Sequence, residues 1–202
     1  LNYVLDSDTN TAVWATYDDA LDSYTQPYIT ESPDDASVLN QNTMGSKYKS
    51  GFTFTKKAPV KTLENPDITI ISDTIIGNSR HIGLQFISNR QAERVEVFAD
   101  SSIVFQEAVI NGIPALKDNT SGFVFKDRYH NRLFSYYISD NNPLLMQFTV
   151  PKEQETILQF YESTYDLLTN QHFTIPSRQN TMIPKPFVLN DAIITKTTIR
   201  IK

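Results

Sequence analysis

Seven residues, LLMQFTV at 144–150, put Leu144, Met146, Phe148 and Val150 on one side of an extended chain and Leu145, Gln147 and Thr149 on the other. Successive side chains of a strand point to opposite faces, so a period of two with one apolar side is the mark of a half-buried strand. The pattern recurs in HIGLQFIS, where Ile82, Leu84 and Phe86 share a face. Related short segments succeed one another from residue 67: DITIISDTII, RHIGLQFIS, ERVEVFA, SIVFQEAVI, GFVFK, RLFSYYIS, LLMQFTV and TILQFYES. Turn-forming clusters separate several of them, GNSR at 77, DNTSG at 118, RYHNR at 128 and SDNNP at 139. Closely spaced alternating strands with such turns predict a mainly β chain, an antiparallel β-sandwich over 63–202, and favour it over an alternating α/β sheet.

The first 62 residues read differently. LNYVL, the polar turn DSDTNT and AVWATY predict a hairpin. Asp18 or Asp19 is placed to cap a short helix over DALDSYTQPYI, which Pro27 limits. Ser32 as N-cap and Pro33 at the first helical position predict a second short helix running through DDASVLNQ. GFTFT then reads as a short strand and KKAPVKTLENP as an extended connector. The expected organisation is a segment 1–62 of hairpin, two short helices and connector, followed by the sandwich 63–202, the whole forming one compact unit. Residues 166–190 hold Pro176, Pro184 and Pro186 in an irregular stretch with Phe173, Ile175, Met182, Ile183, Phe187 and Leu189 as apolar material. So long a loop is expected to wrap over the core. The closing NDAIITKTTIRIK sets Ile193, Thr195, Thr197, Ile199 and Ile201 against Ile194, Lys196, Thr198 and Arg200, a final strand.

Charge and composition narrow the function classes. The 202 residues include no Cys, which removes disulfides, thiolate metal sites and cysteine nucleophiles, and no apolar run approaches the ~20 residues that cross a bilayer as a helix. A net charge of −5 argues against nucleic acid as a partner. The charge is segregated: Asp6, Asp8, Asp18, Asp19, Asp22, Glu31, Asp34 and Asp35 stand in 1–46 without a single Lys or Arg, whereas Lys47, Lys49, Lys56, Lys57 and Lys61 stand in 47–61 without an acid. Two readings stay open. The lysines pair within the fold or are simply solvated, or they face an anionic membrane surface or an acidic partner, where each is worth about 1 kcal/mol near headgroups.

Constellations with catalytic spacing are missing from the linear sequence. Asp6, Asp8 and Asn10 start like a calcium loop, but Thr11 stands where Gly is needed and Tyr17 where a bidentate Glu is needed, and a hairpin turn accounts for the same residues. His81, His130 and His172 are far apart, and no HExxH, GxSxG or phosphate-cradling glycine loop occurs. No catalytic, cofactor or metal residue is therefore assigned. The remaining candidates are rings: Tyr129, Tyr136 and Tyr137, with Phe134, surround one predicted hairpin and could face a sugar, or could fill the core and its surface. Trp14 reads as a hairpin-packing residue.

One resemblance adds to this reading. LNYVLDSDTNTAVWATYD, LDSYTQPYI, GFTFTKKAPV, DTIIGNSR and IPKPFVLNDAIITKT, in collinear order over nearly the whole chain, resemble the C-terminal region of membrane-bound zinc aminopeptidase-like proteins. These are relatives of the vacuolar membrane protease and the endoplasmic reticulum metallopeptidase, with counterparts in Bacteroidetes-type bacteria. The resemblance implies a parent with a two-zinc peptidase domain, transmembrane helices and a β-rich extracytoplasmic C-terminal domain, periplasmic or lumenal. It implies that this chain is that non-catalytic accessory domain, assisting folding, docking or substrate access. Its partners would be the parent's own peptidase and transmembrane regions, with zinc held only by the parent. None of the family's zinc-ligand motifs is matched here, so no ligand carries over. The start at Leu1, without Met or leader, is read as a cut within that longer protein. The alternative is a carbohydrate- or protein-binding sandwich acting alone.

Overall fold

A computed structural model describes residues 1–30, 34–42, 46–48 and 50–202. Among them run strands β1 (Asn2–Asp6), β2 (Thr11–Thr16), β3 (Phe54–Lys57), β4 (Asp67–Ile76), β5 (Ser79–Ile87), β6 (Arg94–Phe98), β7 (Glu107–Ile110), β8 (Ile113–Pro114), β9 (Arg132–Tyr137), β10 (Leu144–Pro151), β11 (Thr156–Thr164) and β12 (Ala192–Ile201). The chain is mainly β, and its strands form two sheets. Two compact units divide it: residues 1–63 with 161–197, and residues 64–160 with 198–202.

In the first unit the strand order is β3-β2-β1-β12-β11. β1 and β2 form the expected hairpin, in which Asp6 Oδ1 accepts the amides of Asp8 and Thr9 at 3.0 and 3.3 Å and Asn10 sits at φ 53°. β1 pairs with β12 in parallel, Tyr3 opposite Ile193. The sheet is thus mixed, a departure from the purely antiparallel expectation that local alternation has no power to foresee. Its core gathers Leu1, Tyr3, Trp14, Ile29, Leu167, Ile175 and Ile193. The 166–190 stretch covers it in part: Phe173 stands edge-on to Tyr3 at 4.7 Å, and Leu189 is buried, whereas Ile183 and Phe187 are 88% and 61% exposed.

Two side-chain clamps hold this unit. The Tyr3 hydroxyl donates to the Pro59 carbonyl and accepts the Lys61 amide, each at 2.9 Å, tying the connector to β1. Arg178 meets Asp191 with two bonds of 2.9 and 3.1 Å and lies over the Tyr24 ring at 4.3 Å. Burial first, and then the Asp191 carboxylate, push the Tyr24 hydroxyl up from 10 to about 12. A raised folded value means that the neutral form is favoured by folding, so this contribution is complete below pH 10 and is lost as pH climbs from 10 towards 12. Tyr24→Phe is therefore expected to remove part of the alkaline loss of stability in that window, measured by urea midpoints between pH 8 and 12.

The second unit is sandwich-like. One sheet carries β11-β6-β9 and the other β4-β5-β10-β7-β8. Their alternating apolar faces share a single core: Ile82, Leu84 and Phe86 of β5, Leu144, Met146, Phe148 and Val150 of β10, Val95 and Val97 of β6, Leu158 and Phe160 of β11. Phe86 and Phe160 stack at 5.7 Å, and both are fully buried. The alternation read in HIGLQFIS and LLMQFTV is the packing observed, because a pleated strand has only two faces and one of them is covered.

Several local expectations are corrected. Among the described residues there is no α-helix over DALDSYTQPYI: Asp22 Oδ1 accepts the amides of Tyr24 and Thr25 at 3.0 and 2.9 Å, an arrangement that closes turns instead of a helix. The expected start of the second helix, Ser32 and Pro33, lies outside the described residues. Beyond it, Asp34 forms an extended bridge with Thr55, and one 3-10 turn spans Leu39–Gln41. The strand placed at GFTFT lies later, so that Lys56 and Lys57 belong to β3 and pair with Trp14 and Val13. SIVFQEAVI is a strand only over Glu107–Ile110, and GFVFK contributes only isolated bridges from Val124 to Phe105 and Lys117.

Candidate functional site

The five-stranded sheet of the second unit turns one face to the core and the other to a groove of about 300 Å³. Register assembles the groove. Thr74 lies opposite His81, His81 opposite Thr149 and Thr149 opposite Glu107, one row across four strands. The next row runs Ser72, Gly83, Gln147, Val109. These residues project outward because their neighbours Ile82, Leu84, Ala108 and Phe148 project inward.

A bulge in β4 shapes the wall of this groove. The register shifts between Ile70 and Ser72, an extra residue that bends the strand and re-aims the residues after it. Opposite the bulge stands Gly83, and a methyl group built on it would lie 2.3 Å from Ser72 Oγ. Only a residue without Cβ lets the Ser72 hydroxyl come down over the sheet. Within the groove, Thr149 Oγ1 and His81 Nδ1 share a hydrogen bond of 3.2 Å. At its rim Lys117 Nζ donates to Glu107 Oε1 at 2.8 Å, and that hydrogen bond, reinforced by the lysine charge, holds the Glu107 carboxyl below its usual value. The groove thus offers hydroxyls, an amide and an imidazole edge, with its one carboxylate already paired. Among the described residues no group of three His, Cys, Asp or Glu is placed to hold a metal ion.

Among the described residues β4 is also one edge strand of this sheet, with β8 at the other. Over its ten residues only Ile68 is partly covered, and Ile70, Ile71, Ile75 and Ile76 are 48, 52, 59 and 65% exposed. The hairpin to β5 turns through Gly77 at φ 60°, and Asp73 is held by Arg80 through two bonds of 2.6 and 2.7 Å. The edge is therefore long, apolar and, in Asp73, charge-balanced.

The residues singled out by sequence lie elsewhere. Lys56 Nζ reaches Asp34 at 3.2 Å, so one lysine of the basic block does meet the acidic block. Other acids of that block use C-terminal partners: Asp19 pairs with Lys185 at 2.9 Å and Asp6 with Lys196 at 2.8 Å. Lys47 is exposed with its ammonium 4.3 Å over Phe187, whose ring also meets Tyr48. Lys57 is exposed, Lys61 lies 5.8 Å over Phe173, and Lys49 is outside the described residues. The aromatics do not form one row. Tyr136 packs against the core and its hydroxyl accepts Asn111 Nδ2 at 2.7 Å, Tyr137 points to the opposite face beneath Arg94 at 5.2 Å, and Tyr129 lies against His130 at 4.2 Å. His172 lies in the long loop, far in sequence from β5 and β9.

Sequence reasoning passed over the groove because its members, spread from 72 to 149, are ordinary strand residues. Only the outward phase of HIGLQFIS and LLMQFTV pointed to it. Comparison with family models, with curated proteins and with solved structures finds no match in any of the three.

Proposed function

We propose that this chain is a non-catalytic accessory domain of a membrane-anchored zinc aminopeptidase-like protein, on the extracytoplasmic side, and that it works by docking. β4 would take up an extended apolar segment from the peptidase portion of the same polypeptide. The observation that carries docking is β4 itself. An edge strand presents a row of unpaired amides and carbonyls, and soluble domains ordinarily blunt such edges with lysines, prolines, bulges or short length; β4 carries one bulge, after Ile70, which leaves long stretches of edge on either side. β4 has ten residues, no Lys and no Pro, and exposes four isoleucines. Strand addition would satisfy its backbone and cover its side chains at once. The collinear resemblance supports the choice of parent. In that parent a zinc-activated water would hydrolyse the peptide bond, with all zinc ligands outside this chain.

The test uses the full-length protein in its own membranes, with a photo-crosslinking residue at Ile71 or Ile75. Cross-links from both positions to one segment of the peptidase portion are expected. They should be lost with Ile70→Lys plus Ile76→Lys, which, at exposed positions, should leave the chain's own unfolding within about 0.5 kcal/mol. A soluble species no larger than this chain, or a membrane protein without such cross-links, overturns the reading.

A further inference from the structure

We propose that the groove on the outer face of the five-stranded sheet binds a neutral, polyhydroxylated ligand of the saccharide class. The inference concerns residues that the docking role does not use, since docking engages the backbone edge of β4 and the groove lies across the sheet face. Three features define the ligand. The first is the balance of donors and acceptors: the Ser72 and Thr149 hydroxyls and the Gln147 amide each give and receive hydrogen bonds, and His81 adds a ring edge beside its bond to Thr149. A ligand whose own groups both donate and accept matches such a lining, and hydroxyl groups do both.

The second feature is charge. Glu107 is the one carboxylate of the lining, and its pairing with Lys117 leaves no excess positive charge for a phosphate or carboxylate and no excess negative charge for a cation. The third is the floor. With no Cβ at Gly83, the Ser72 hydroxyl lies over the backbone there, and Val109 supplies an apolar spot for the C–H face of a sugar ring. Strands about 4.8 Å apart set the polar groups of each row at short, regular intervals. The groove is thereby a comb of hydrogen-bonding groups beside one apolar spot.

The test is a glycan array probed with the 202-residue chain, followed by calorimetric titration of the strongest neutral oligosaccharide, with inositol hexakisphosphate as the anionic control. Binding of neutral glycans is expected. Gln147→Ala and His81→Ala should each weaken it at least tenfold, and Gly83→Val, which displaces the Ser72 hydroxyl from the groove, should weaken it further. Because Gly83→Val can also disturb the fold, Gln147→Ala, at an exposed position, decides the matter. The inference is overturned if no neutral glycan binds at millimolar concentration, if inositol hexakisphosphate binds in preference, or if Gln147→Ala and His81→Ala leave affinity unchanged. None of these outcomes bears on cross-links from Ile71 and Ile75, so the two readings fail separately.

Discussion

Arg128→Ala is expected to lower the stability of the second unit by about 3 to 4 kcal/mol, because one guanidinium satisfies the carbonyls of two loops. Arg128 Nε donates to the Phe125 carbonyl at 2.7 Å and Nη1 to that of Ala99 at 3.1 Å. Nη1 also meets the Asp100 carbonyl and Nη2 the Ile103 carbonyl, while the group lies 5.1 Å from the ring centre of Phe105. Charged donors strengthen such bonds to about 1.5–3 kcal/mol each, but they act as one unit, so their sum is not the expectation. Truncation leaves several carbonyls unsatisfied and uncovers Phe105, which is fully buried. Phe125 is held at φ 54°, an unfavourable angle for an aromatic residue that the Arg128 bond helps to maintain. Arg128→Lys should recover little, since an ammonium cannot fork in a plane to several acceptors. Urea unfolding of the three proteins measures this. A loss below about 1 kcal/mol would mean that water replaces the guanidinium at these carbonyls.

Glu96→Ala should cost about 3 to 5 kcal/mol. Glu96 is 1% exposed on β6, and its Oε1 accepts Arg94 Nη2 at 2.9 Å, Arg132 Nη1 at 3.1 Å and Ser135 Oγ at 2.8 Å. Arg94 and Arg132 are themselves only 11% and 24% exposed. Removing the carboxylate leaves two guanidinium groups close together with their shared counter-charge gone, which is the situation in which a buried ion pair matters most. Glu96→Gln retains the shape and one acceptor and should cost less than the Ala variant. Because the network is shielded, raising salt from 0.05 to 0.5 M should change the Glu96→Ala difference little, in contrast to surface pairs such as Lys117 with Glu107. Denaturation at both ionic strengths decides this. A difference that collapses in high salt would show that the network is solvated.

The two residues illustrate how much a linear sequence conveys. Nothing in ERVEVFA distinguishes Glu96 from a surface glutamate at an outward strand position, because burial on that face depends on what covers it. A period of two sets Val95 and Val97 on one face and Glu96 on the other, yet all three are buried. Arg128 stands in the RYHNR turn and reads as a solvated charge until the 99–103 loop is brought beside it. The missed helix over DALDSYTQPYI has a similar cause: Asp22 bonds the amides two and three residues ahead, and that choice competes with the helix at short range while the packing of Tyr24 and Tyr28 settles it.

By itself, then, the sequence determined that the chain is mainly β, where most strands and turns fall, and which side of β5 and β10 faces a core. These properties depend on local alternation and turn chemistry, which a stretch of seven or eight residues carries complete. Tertiary structure alone decided that β1 lies parallel to β12, that β4 ends its sheet as an apolar edge, and that Ser72, His81, Glu107, Gln147 and Thr149 share one groove. Each of these is a statement about strand neighbours and register between distant segments. A strand's alternation specifies its faces, but its hydrogen-bonding edges are the same backbone groups in every residue other than proline, so which strand lies beside which is written only in the packing of the whole.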